Sequence, residues 1–513
     1  MQAQVAVVGG GPVGMLVAAE LAGYGVDTVV LEPELRVSER PRATTLHARA
    51  VQSLARRGHL PARVTPYRGE AVGLPFHFAG LPGLVITAPA GEPEPILKRP
   101  QVELERIFVR RALAAGARIL RGHRVTEVRQ EEGEGGEGGV RIVAEGPGGP
   151  VGIDARYVVG ADGARSTVRE QAGIASDTHP ATVAALMGTV TLTDPGALAG
   201  GWHRTDRGWI VARHEPGGAT NLRTLNCSGA HVERRLPLTL DELRREVSWI
   251  AGRDIAMEAP RWLSRFSDFW RLARSFRAGR VFLAGDAAHV HFPIGGQGLS
   301  TGVLDALNLG WKLAHAVHGT AGPDLLDTYD LERRPVAQRV IDNTRAQLAL
   351  MRPGPEPEAL RWVFSELLAA DERGRGQLGA MISAQNTVVP AYTEGASPEA
   401  GRFLRNVALS TEEGKTDVIG LLRDGRPLLL LFGPDGARYR DEARGWERTV
   451  RVVHAHPTAD VPHAALLVRP DGYIAWAPYA GGLDAALSAY FARNPRAGVP
   501  VTASGGGHAR NIG

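Results

Sequence analysis

The chain has 513 residues, 43% hydrophobic and 22% charged, which is ordinary usage for a soluble globular protein of about two or three folding units. Its net charge is only +4, and it has no long run of like charges and no basic stripe, so the charge pattern indicates neither a nucleic-acid nor a membrane partner. The single cysteine, Cys227, excludes an internal disulfide framework and favours a reducing, cytoplasmic location.

The N-terminus predicts a strand, a glycine turn, a helix and a second strand. The turn has the G-x-G-x-x-G pattern, whose first glycine permits a tight turn, whose second lets the backbone approach a pyrophosphate, and whose third allows close helix packing. An acidic residue at the end of the next strand would accept hydrogen bonds from an adenosine ribose, which favours FAD or NAD over NADP. The residues assigned to this site are Gly9, Gly11, Pro12, Gly14 and Glu32.

A second glycine match occurs in the stretch from 130 to 150, at Gly133, Gly135 and Gly138. No buried strand precedes it, no helix follows it, and the glutamates around it would repel a phosphate. We interpret this stretch as hairpin turns that bind no ligand.

Two more apolar runs end at an acidic residue in a turn. The run from 157 to 160 leads to Asp162 and Gly163, and the run from 280 to 285 leads to Asp286. Each alone is typical of a strand that ends in an Asp-capped turn. If the three strands are parallel neighbours, their ends meet at one edge of a sheet.

The stretches 74–98 and about 182–270 carry short β-like runs broken by Gly, Pro and Asp, and they predict a second sheet inserted into the first unit. After about residue 396 the pattern starts again and predicts a small α/β domain. Its strands are expected at 428–432, 449–453, 464–468 and 473–476, with a helix at 483–491.

In this order, the three motifs resemble those of group A flavoprotein monooxygenases with the para-hydroxybenzoate hydroxylase fold. The chain looks nearest to hydroxylases of aromatic polyketides such as angucyclinones and to rifamycin monooxygenases, and the likeness extends over 261–264 and 332–335. The implied fold is α/β. It comprises a Rossmann-type FAD-binding domain (1–75, 99–175 and 271–395), an inserted β-sheet substrate domain (76–98 and 176–270) and a thioredoxin-like C-terminal domain without C-x-x-C (396–513).

The resemblance also assigns roles. It places Asp286, after Gly285, on the hydroxyls of the FAD ribityl chain, and it links Asp162 and Gly163 to both FAD and NAD(P)H. It places Arg42 near the FAD phosphates and Gln101 on the ribityl chain. The segment that would wrap the flavin ring contributes Pro293, Gly295, Gly296, Gly298, Leu299 and Ser300. Relatives usually carry Asn at the position of Ser300 and often Gln at that of Leu304.

The implied activity is hydroxylation of a bulky polycyclic aromatic, polyketide-type substrate through a flavin hydroperoxide, with NADPH or NADH as reductant and dioxygen as oxidant. Because the cofactor carries this chemistry, we nominate no catalytic side chain. Baeyer–Villiger oxygenation of a polyketide and a non-catalytic FAD-binding role stay open. A flavin halogenase is disfavoured, because the W-x-W-x-I-P motif is missing and lysine is scarce. The oligomeric state also stays open, with a homodimer among the alternatives.

Other chemistry-bearing residues receive structural interpretations. His289 and His291 form an H-x-H pair without a third ligand, so we predict no metal site. His47 is interpreted as a core residue. Some members of a group of four are candidates to face the substrate: Phe76, Phe78, Trp209 and Asn226.

Overall fold

The structure is a computed structural model that describes residues 1–60, 71–131, 138–228 and 236–493. Its strands, in chain order, are β1 (Gln2–Val8), β2 (Thr28–Glu32), β3 (Thr45–His47), β4 (Val72–Phe78), β5 (Leu81–Ala88), β6 (Ile96–Lys98), β7 (Arg118–Arg121), β8 (Arg124–Glu131), β9 (Gly139–Gly146), β10 (Gly149–Gly160), β11 (Ser176–His179), β12 (Ala184–Leu192), β13 (Gly201–Thr205), β14 (Gly208–His214), β15 (Ala219–Asn226), β16 (Met257–Ser267), β17 (Trp270–Ala273), β18 (Arg277–Ala278), β19 (Val281–Leu283), β20 (His289–Val290), β21 (Ala408–Thr411), β22 (Gly414–Asp417), β23 (Leu428–Phe432), β24 (Arg451–Ala455), β25 (Ala465–Val468) and β26 (Ile474–Trp476). Its helices are α1 (Pro12–Gly23), α2 (Ala48–Arg56), α3 (Gln101–Ala114), α4 (Thr167–Gln171), α5 (Leu240–Ala251), α6 (Gly298–Val317), α7 (Thr328–Met351), α8 (Pro355–Ala370), α9 (Glu372–Ile382), α10 (Val418–Leu422), α11 (Gly433–Glu442) and α12 (Leu483–Tyr490).

The largest sheet has a parallel centre in the order β19, β10, β1, β2, β7. Strands β8 and β9 fold back antiparallel beside β10. The inner half of β1 is apolar and buried, as expected of a parallel strand covered on both faces. Helix α1 is apolar nearly all round because it lies between the sheet and the helices α3 and α6.

A five-stranded antiparallel sheet has the order β13, β14, β15, β12, β16. Successive side chains of a strand point to opposite faces, so each strand contributes to two clusters. Ile210 and Leu222 pack against Leu243 of α5 on one face. Trp209 and Leu225 join a different apolar cluster on the other face.

The hairpin of β4 and β5 pairs with itself and not with the five-stranded sheet. Phe78 and Leu84 of this hairpin pack in the same cluster as Trp209, together with Ile294 just before α6 and Leu348 of α7. This apolar cluster joins the hairpin, the five-stranded sheet and the start of α6.

The C-terminal sheet has the order β22, β21, β24, β23, β25, β26, and its central strand β23 is buried throughout. Leu429 of β23 and Leu487 of α12 share a core with Trp311, which belongs to α6. The sheet therefore packs directly against the long helix that begins near the parallel sheet's edge.

The mixed α/β fold is confirmed. The hairpins expected in 130–150 are present, since β9 pairs antiparallel with both β8 and β10, although most of the described part of this stretch is strand and not turn. One local expectation was wrong: β24 begins at Arg451, two residues later than predicted. The decoy glycines Gly133 and Gly135 lie outside the described residues. The domain bounds stay a prediction. No helix in the described part of the chain is long and apolar enough to span a membrane.

Candidate functional site

Three parallel strands end side by side at one edge of the large sheet. Val8 is in register with Gly160, and Gly160 is in register with Leu283. The pairing continues past the strands, because Ala161 donates its N–H to Val8 at 2.8 Å and Ala284 donates to Gly160 at 2.9 Å. The three predicted strand ends therefore lie together, as the sequence indicated.

The glycine turn after β1 is tightly packed on its inner side and open on its outer side. A Cβ on Gly9 would lie 2.4 Å from the Ala161 oxygen, and a Cβ on Gly14 would lie 2.0 Å from the Gly9 oxygen. A Cβ on Gly11, in contrast, would meet nothing within 4 Å. Gly11 is also the N-cap of α1, with no side chain capping the helix and no acid in its first turn. The free N–H groups thus face an open space that suits an anion.

Glu32 is fixed beside this turn by two backbone donors. Gly10 donates its N–H to Oε2 at 2.5 Å, and Glu34 donates to Oε1 at 2.8 Å. Each carboxylate oxygen has a second acceptor position, so the group can also accept hydrogen bonds from a ribose. The carboxylate that the sequence assigned to the adenosine side is therefore held in a fixed orientation at the turn.

Asp162 follows β10 next to the same turn. A Cβ on Gly9 would lie 2.8 Å from the Asp162 Cα, and Val168 at the start of α4 donates to its Oδ2 at 3.1 Å. The other oxygen, Oδ1, is buried without a hydrogen-bond partner. Burial raises the pKa of Asp162, against the hydrogen bonds from Ser166 and Val168. A buried, unpartnered acceptor at this edge is suited to a ligand donor.

Asp286 follows β19, and its side chain is exposed although both neighbouring residues are buried. Protein packed around the carboxyl group desolvates it and raises the pKa of Asp286, against the positive influence of His289 and Arg42. Gly285 packs on Val13 of α1, at 3.1 Å from an added Cβ. Asp286 is therefore presented to open space close to the start of α1.

Asp305 of α6 is hydrogen-bonded to the turn that carries Gly285 and Asp286. Its Oδ2 accepts the Gly285 N–H at 3.1 Å and lies 2.7 Å from the His289 Nε2, and its Oδ1 lies 2.8 Å from the Arg333 Nε. Burial raises the pKa of Asp305, but His289 and Arg333 outweigh this and hold it below its usual range. The His289 ring nitrogen is thus engaged by a carboxylate. No cluster of three metal-ligating side chains occurs in residues 1–60, 71–131, 138–228 and 236–493.

The segment before α6 turns sharply. Gly295 and Gly296 have φ values of +75° and +64°, which favour glycine. Gln297 is the N-cap of α6, without a side-chain cap and without an acid in the first turn, so the first N–H groups of the helix are available to a ligand. Pro293 is exposed, Gly298 is half-buried, and Leu299 packs into the core. Backbone rather than side-chain contacts are available along this loop.

His47 fastens this loop to β3. Its N–H donates to Ser300 Oγ at 3.0 Å, and its Nε2 lies 2.7 Å from the Gly295 oxygen. Burial lowers the pKa of His47 to about 4, so the ring is neutral and Nε2 donates to the carbonyl. The Ser300 hydroxyl therefore accepts a bond from the protein itself.

Arg42 and Gln101 border the same edge. Gln101 is the first residue of α3, and its N–H donates to the Ala43 oxygen at 2.9 Å. Because Ala43 follows Arg42 in the chain, this bond brings the start of α3 close to Arg42. Burial raises the pKa of Asp286 and of Glu105, and the exposed Arg42 is close enough to oppose both shifts. The structure thus brings the glycine turn, Asp162 and Asp286 to one edge of the sheet, with Arg42 close to Asp286.

Sequence reasoning missed the supporting residues Asp305 and His47. For Asp305 a signal existed, since α6 is apolar apart from a few polar residues, and a charged residue in such a helix is rarely buried without a partner. His47 carried no local signal, because its partners are 253 and 248 positions away in the sequence.

Two families match the chain. The FAD binding domain family matches residues 2–344, and the aromatic-ring hydroxylase C-terminal family matches residues 397–494. A 12-dehydrotetracycline 5-monooxygenase/anhydrotetracycline 6-monooxygenase of Streptomyces rimosus is 38% identical over 96% of this chain and 99% of its own. A rifampicin monooxygenase of Streptomyces venezuelae is 39% identical over 92% of this chain and 95% of its own.

Solved structures agree on the fold and diverge in activity. CabE, an aromatic hydroxylase from angucycline biosynthesis, superposes with a TM-score of 0.86 at 34% identity, over 96% of this chain and 100% of its own. PyrE3, a Diels-Alderase of pyrroindomycin biosynthesis, superposes with a TM-score of 0.79 at 34% identity, over 95% of this chain and 99% of its own.

The open glycine turn, the free helix N-termini and the unpartnered carboxylate oxygen fit an FAD molecule along this edge, and the protein is of the flavoprotein class. More narrowly, the chain belongs to the family of FAD-dependent aromatic-ring hydroxylases and is a flavin monooxygenase.

Proposed function

We propose that the protein uses NADPH or NADH and dioxygen to hydroxylate a bulky polycyclic aromatic substrate of the polyketide type. The observation that carries the proposal is the open edge of the sheet, where Gly11, Asp162 and Asp286 present free backbone and carboxylate groups in front of α6. The similarity to monooxygenases named for anhydrotetracycline and rifampicin supports the substrate class.

Bound FAD supplies the redox chemistry, since it accepts a hydride from the nicotinamide and delivers one oxygen atom of dioxygen to the substrate. In this proposal Glu32 holds the adenosine ribose, and Arg42 with the α1 N-terminus holds the pyrophosphate. Asp286 and Gln101 hold the ribityl hydroxyls, and Asp162 with Gly163 serves both FAD and the nicotinamide.

The flavin loop from 293 to 300 would contact the ring through its backbone. The positive N-terminal end of α6 would stabilise negative charge on the reduced ring. His47 supports this role indirectly, because it ties Gly295 and Ser300 to β3 and so fixes the start of the helix.

The apolar cluster between the hairpin and the five-stranded sheet supports a substrate site beside the ring. Trp209 is structural here: it is 3% exposed, and its Nε1 donates to the Met351 oxygen at 2.6 Å. Phe78 is also buried, whereas Phe76 is half-buried and remains a candidate to touch the substrate. Asn226 lies on the opposite face of the sheet, where its Nδ2 donates to Glu246 Oε2 of α5 at 3.4 Å, so it is no longer a candidate. We retain the predicted domain division and the cytoplasmic location as part of this proposal.

A second candidate function is a carbon–carbon bond-forming reaction that uses the FAD scaffold without net oxidation. It is favoured by the similarity to PyrE3 over nearly the whole chain. It differs from the non-catalytic FAD-binding role, which also stays an alternative, because the protein would still catalyse a reaction. Baeyer–Villiger oxygenation also stays an alternative on the same scaffold.

Oxidation of the reduced nicotinamide separates these functions. The purified holoenzyme is mixed with NADPH or NADH and with anhydrotetracycline, rifampicin or angucyclinone aromatics, and the absorbance of the nicotinamide is followed. Hydroxylation predicts that at least one aromatic accelerates oxidation and gains a ring hydroxyl by product NMR. A product isomeric with its substrate, formed without nicotinamide, would instead support the bond-forming reaction.

A further inference from the structure

The five-stranded sheet presents positive charge on the face turned away from α5. Alternation along β14 and β15 places Arg213 and Arg223 on the same face as Trp209 and Leu225. The apolar cluster that holds Trp209 and Leu225 also holds Ile294, the residue before Gly295 of the flavin loop. The two arginines therefore belong to the face of the sheet that fronts the loop.

Arg223 lies in the middle of this face. On β14 its register partner is Val211, and on β12 it is Met187, so its flanks are apolar. Arg213 is its diagonal neighbour on β14, because Arg213 pairs with Asn221. In the described part of the chain, Arg223 makes no hydrogen bond and no ion pair. The residue is exposed, although the protein packed around its guanidinium group partly desolvates it.

Lys98 brings a second cation near the two arginines, which add to the effect of burial in lowering its pKa. It ends β6, pairs with Thr45 of β3, and donates from Nζ to Thr45 Oγ1 at 3.2 Å. His47, two residues beyond Thr45, is bound to the flavin loop. Among residues 1–60, 71–131, 138–228 and 236–493, no carboxylate forms an ion pair with Lys98.

The pKa shifts of Arg223 and Lys98 agree with this arrangement. Desolvation lowers the pKa of Arg223, and Arg213 lowers it further. Desolvation likewise lowers the pKa of Lys98, and both arginines add to the effect. Arg213 has an acidic partner in Glu215, at 3.2 Å, which leaves the charges of Arg223 and Lys98 uncompensated. An anion placed between them would relieve the repulsion.

The aromatic side chains near the flavin loop suit a planar ring system. The Phe76 ring stacks on the His77 ring with centroids 4.8 Å apart, and the His47 ring meets Phe76 edge-on at 5.3 Å. The Nδ1 atom of His77 is buried without a hydrogen-bond partner. Aromatic side chains and two cations that have no ion-pair partner among the described residues thus lie near the start of the flavin loop.

We propose that Arg223 and Lys98 form a subsite for an anionic oxygen of the aromatic substrate, and that the enzyme selects polycyclic aromatics that carry such an oxygen. The inference rests on the proposed function and adds the charge of its substrate. A phenolate or enolate and a carboxylate offer the same oxyanion to a guanidinium group, so both sources satisfy the geometry.

The test is a binding titration that needs neither nicotinamide nor turnover. Oxidised holoenzyme is titrated with anthraquinone-2-carboxylate, 2-hydroxyanthraquinone and 2-methoxyanthraquinone, and the change in the flavin absorbance gives each dissociation constant. We expect the two ionisable probes to bind about tenfold or more tightly than the methoxy probe, as for a charge-assisted hydrogen bond. If the hydroxy probe gains this preference only as the pH rises through its own pKa, the phenolate is the bound form.

The variants Arg223→Gln and Lys98→Gln should each reduce the preference for ionised probes and leave the affinity for the methoxy probe nearly unchanged. Arg245→Gln, on the exposed side of α5 across the sheet, removes the same charge outside the subsite and should keep the preference. FAD content and the unfolding midpoint check that each variant is folded.

Three results would overturn the proposal. In the first, the methoxy probe binds as tightly as the ionised probes. In the second, the preference for ionised probes survives in both the Arg223→Gln and the Lys98→Gln variant. In the third, the variants raise the KM for NADPH but leave probe binding unchanged, and the cations then serve the phosphate of the dinucleotide. Because no result depends on oxygen transfer, the subsite can fail while the hydroxylase proposal stands.

Discussion

Gly11 and Gly14 occupy the same turn but have opposite surroundings. An added Cβ would meet the Gly9 oxygen at 2.0 Å from Gly14, and nothing within 4 Å from Gly11. Gly14 is therefore needed by the fold, whereas Gly11 keeps space free outside it. In this account that space holds the FAD pyrophosphate.

The account predicts that Gly11→Ala gives a folded protein that has lost FAD, because the methyl group enters only the cofactor's space. Gly14→Ala should instead lower the free energy of unfolding by about 1–3 kcal/mol, as overpacking does. FAD content by absorbance and urea unfolding of each purified protein measure both effects. Full FAD retention in a stable Gly11→Ala protein would place the pyrophosphate elsewhere.

The sequence predicted these glycine roles because spacing within a few residues encodes a turn geometry. It predicted the edge carboxylates for the same reason. It could not predict that His47 bonds Gly295 and Ser300, because that contact joins parts of the chain that only the tertiary fold brings together. The same reason applies to the pairing of His289 with Asp305.

At the scale of elements, buried charges join α6 and α7 to the turn after β25. Glu332 lies 2.9 Å from Lys312 Nζ and 2.7 Å from an Arg469 nitrogen, and Arg469 lies 2.6 Å from Asp471. Burial raises the pKa of Glu332, but Arg469 and Lys312 together hold it far below its usual range. The C-terminal sheet is thus held to the FAD-binding helices by a desolvated ion network.

Glu332→Gln should destabilise the protein by about 3–5 kcal/mol, because it leaves Lys312 buried without its countercharge. Glu366→Gln, on the exposed side of α8, makes the same chemical change outside the network and should alter stability little. Urea unfolding measures both. Adding Lys312→Met to Glu332→Gln should recover part of the lost stability. Equal free energies of unfolding for Glu332→Gln and Glu366→Gln would refute the role of the ion network.

Element types were predictable where the apolar pattern was strong, as at β1, α1 and β23. The pairing partner of each strand was less predictable than its element type. The runs of β4 and β5 look like strands of the inserted sheet, yet they form their own hairpin, since strand periodicity fixes the buried face of a strand and not its neighbour.

At the scale of the whole molecule, four histidines of the described residues are buried or half-buried in a neutral state. Desolvation lowers the pKa of His47, His77, His291 and His315 to about 4 in each case. In the unfolded chain a histidine titrates at about 6.5, so the unfolded state takes up protons first as the pH falls. The native state is therefore penalised between about pH 6.5 and pH 4.

We predict that the free energy of unfolding decreases as the pH falls from 6.5 to 4, by up to about 1.4 kcal/mol per pH unit for each buried histidine. His315 contacts the rings of Trp311 and Phe491. His315→Phe removes one titrating group and should therefore reduce the slope of the free energy of unfolding with pH. Urea unfolding at a series of pH values measures the slope, and a slope unaffected by His315→Phe would contradict the assignment.

The open sheet edge and the helix N-termini fit bound FAD, and the central claim of the proposed function is oxygen transfer from dioxygen to an aromatic ring. The most direct measurement is the mass and connectivity of the product formed by holoenzyme, NADPH or NADH, and a polycyclic aromatic under oxygen-18 gas. The account predicts a ring hydroxyl that contains one labelled atom, formed only when the nicotinamide is consumed. An unlabelled product isomeric with the substrate, formed without the nicotinamide, would contradict it.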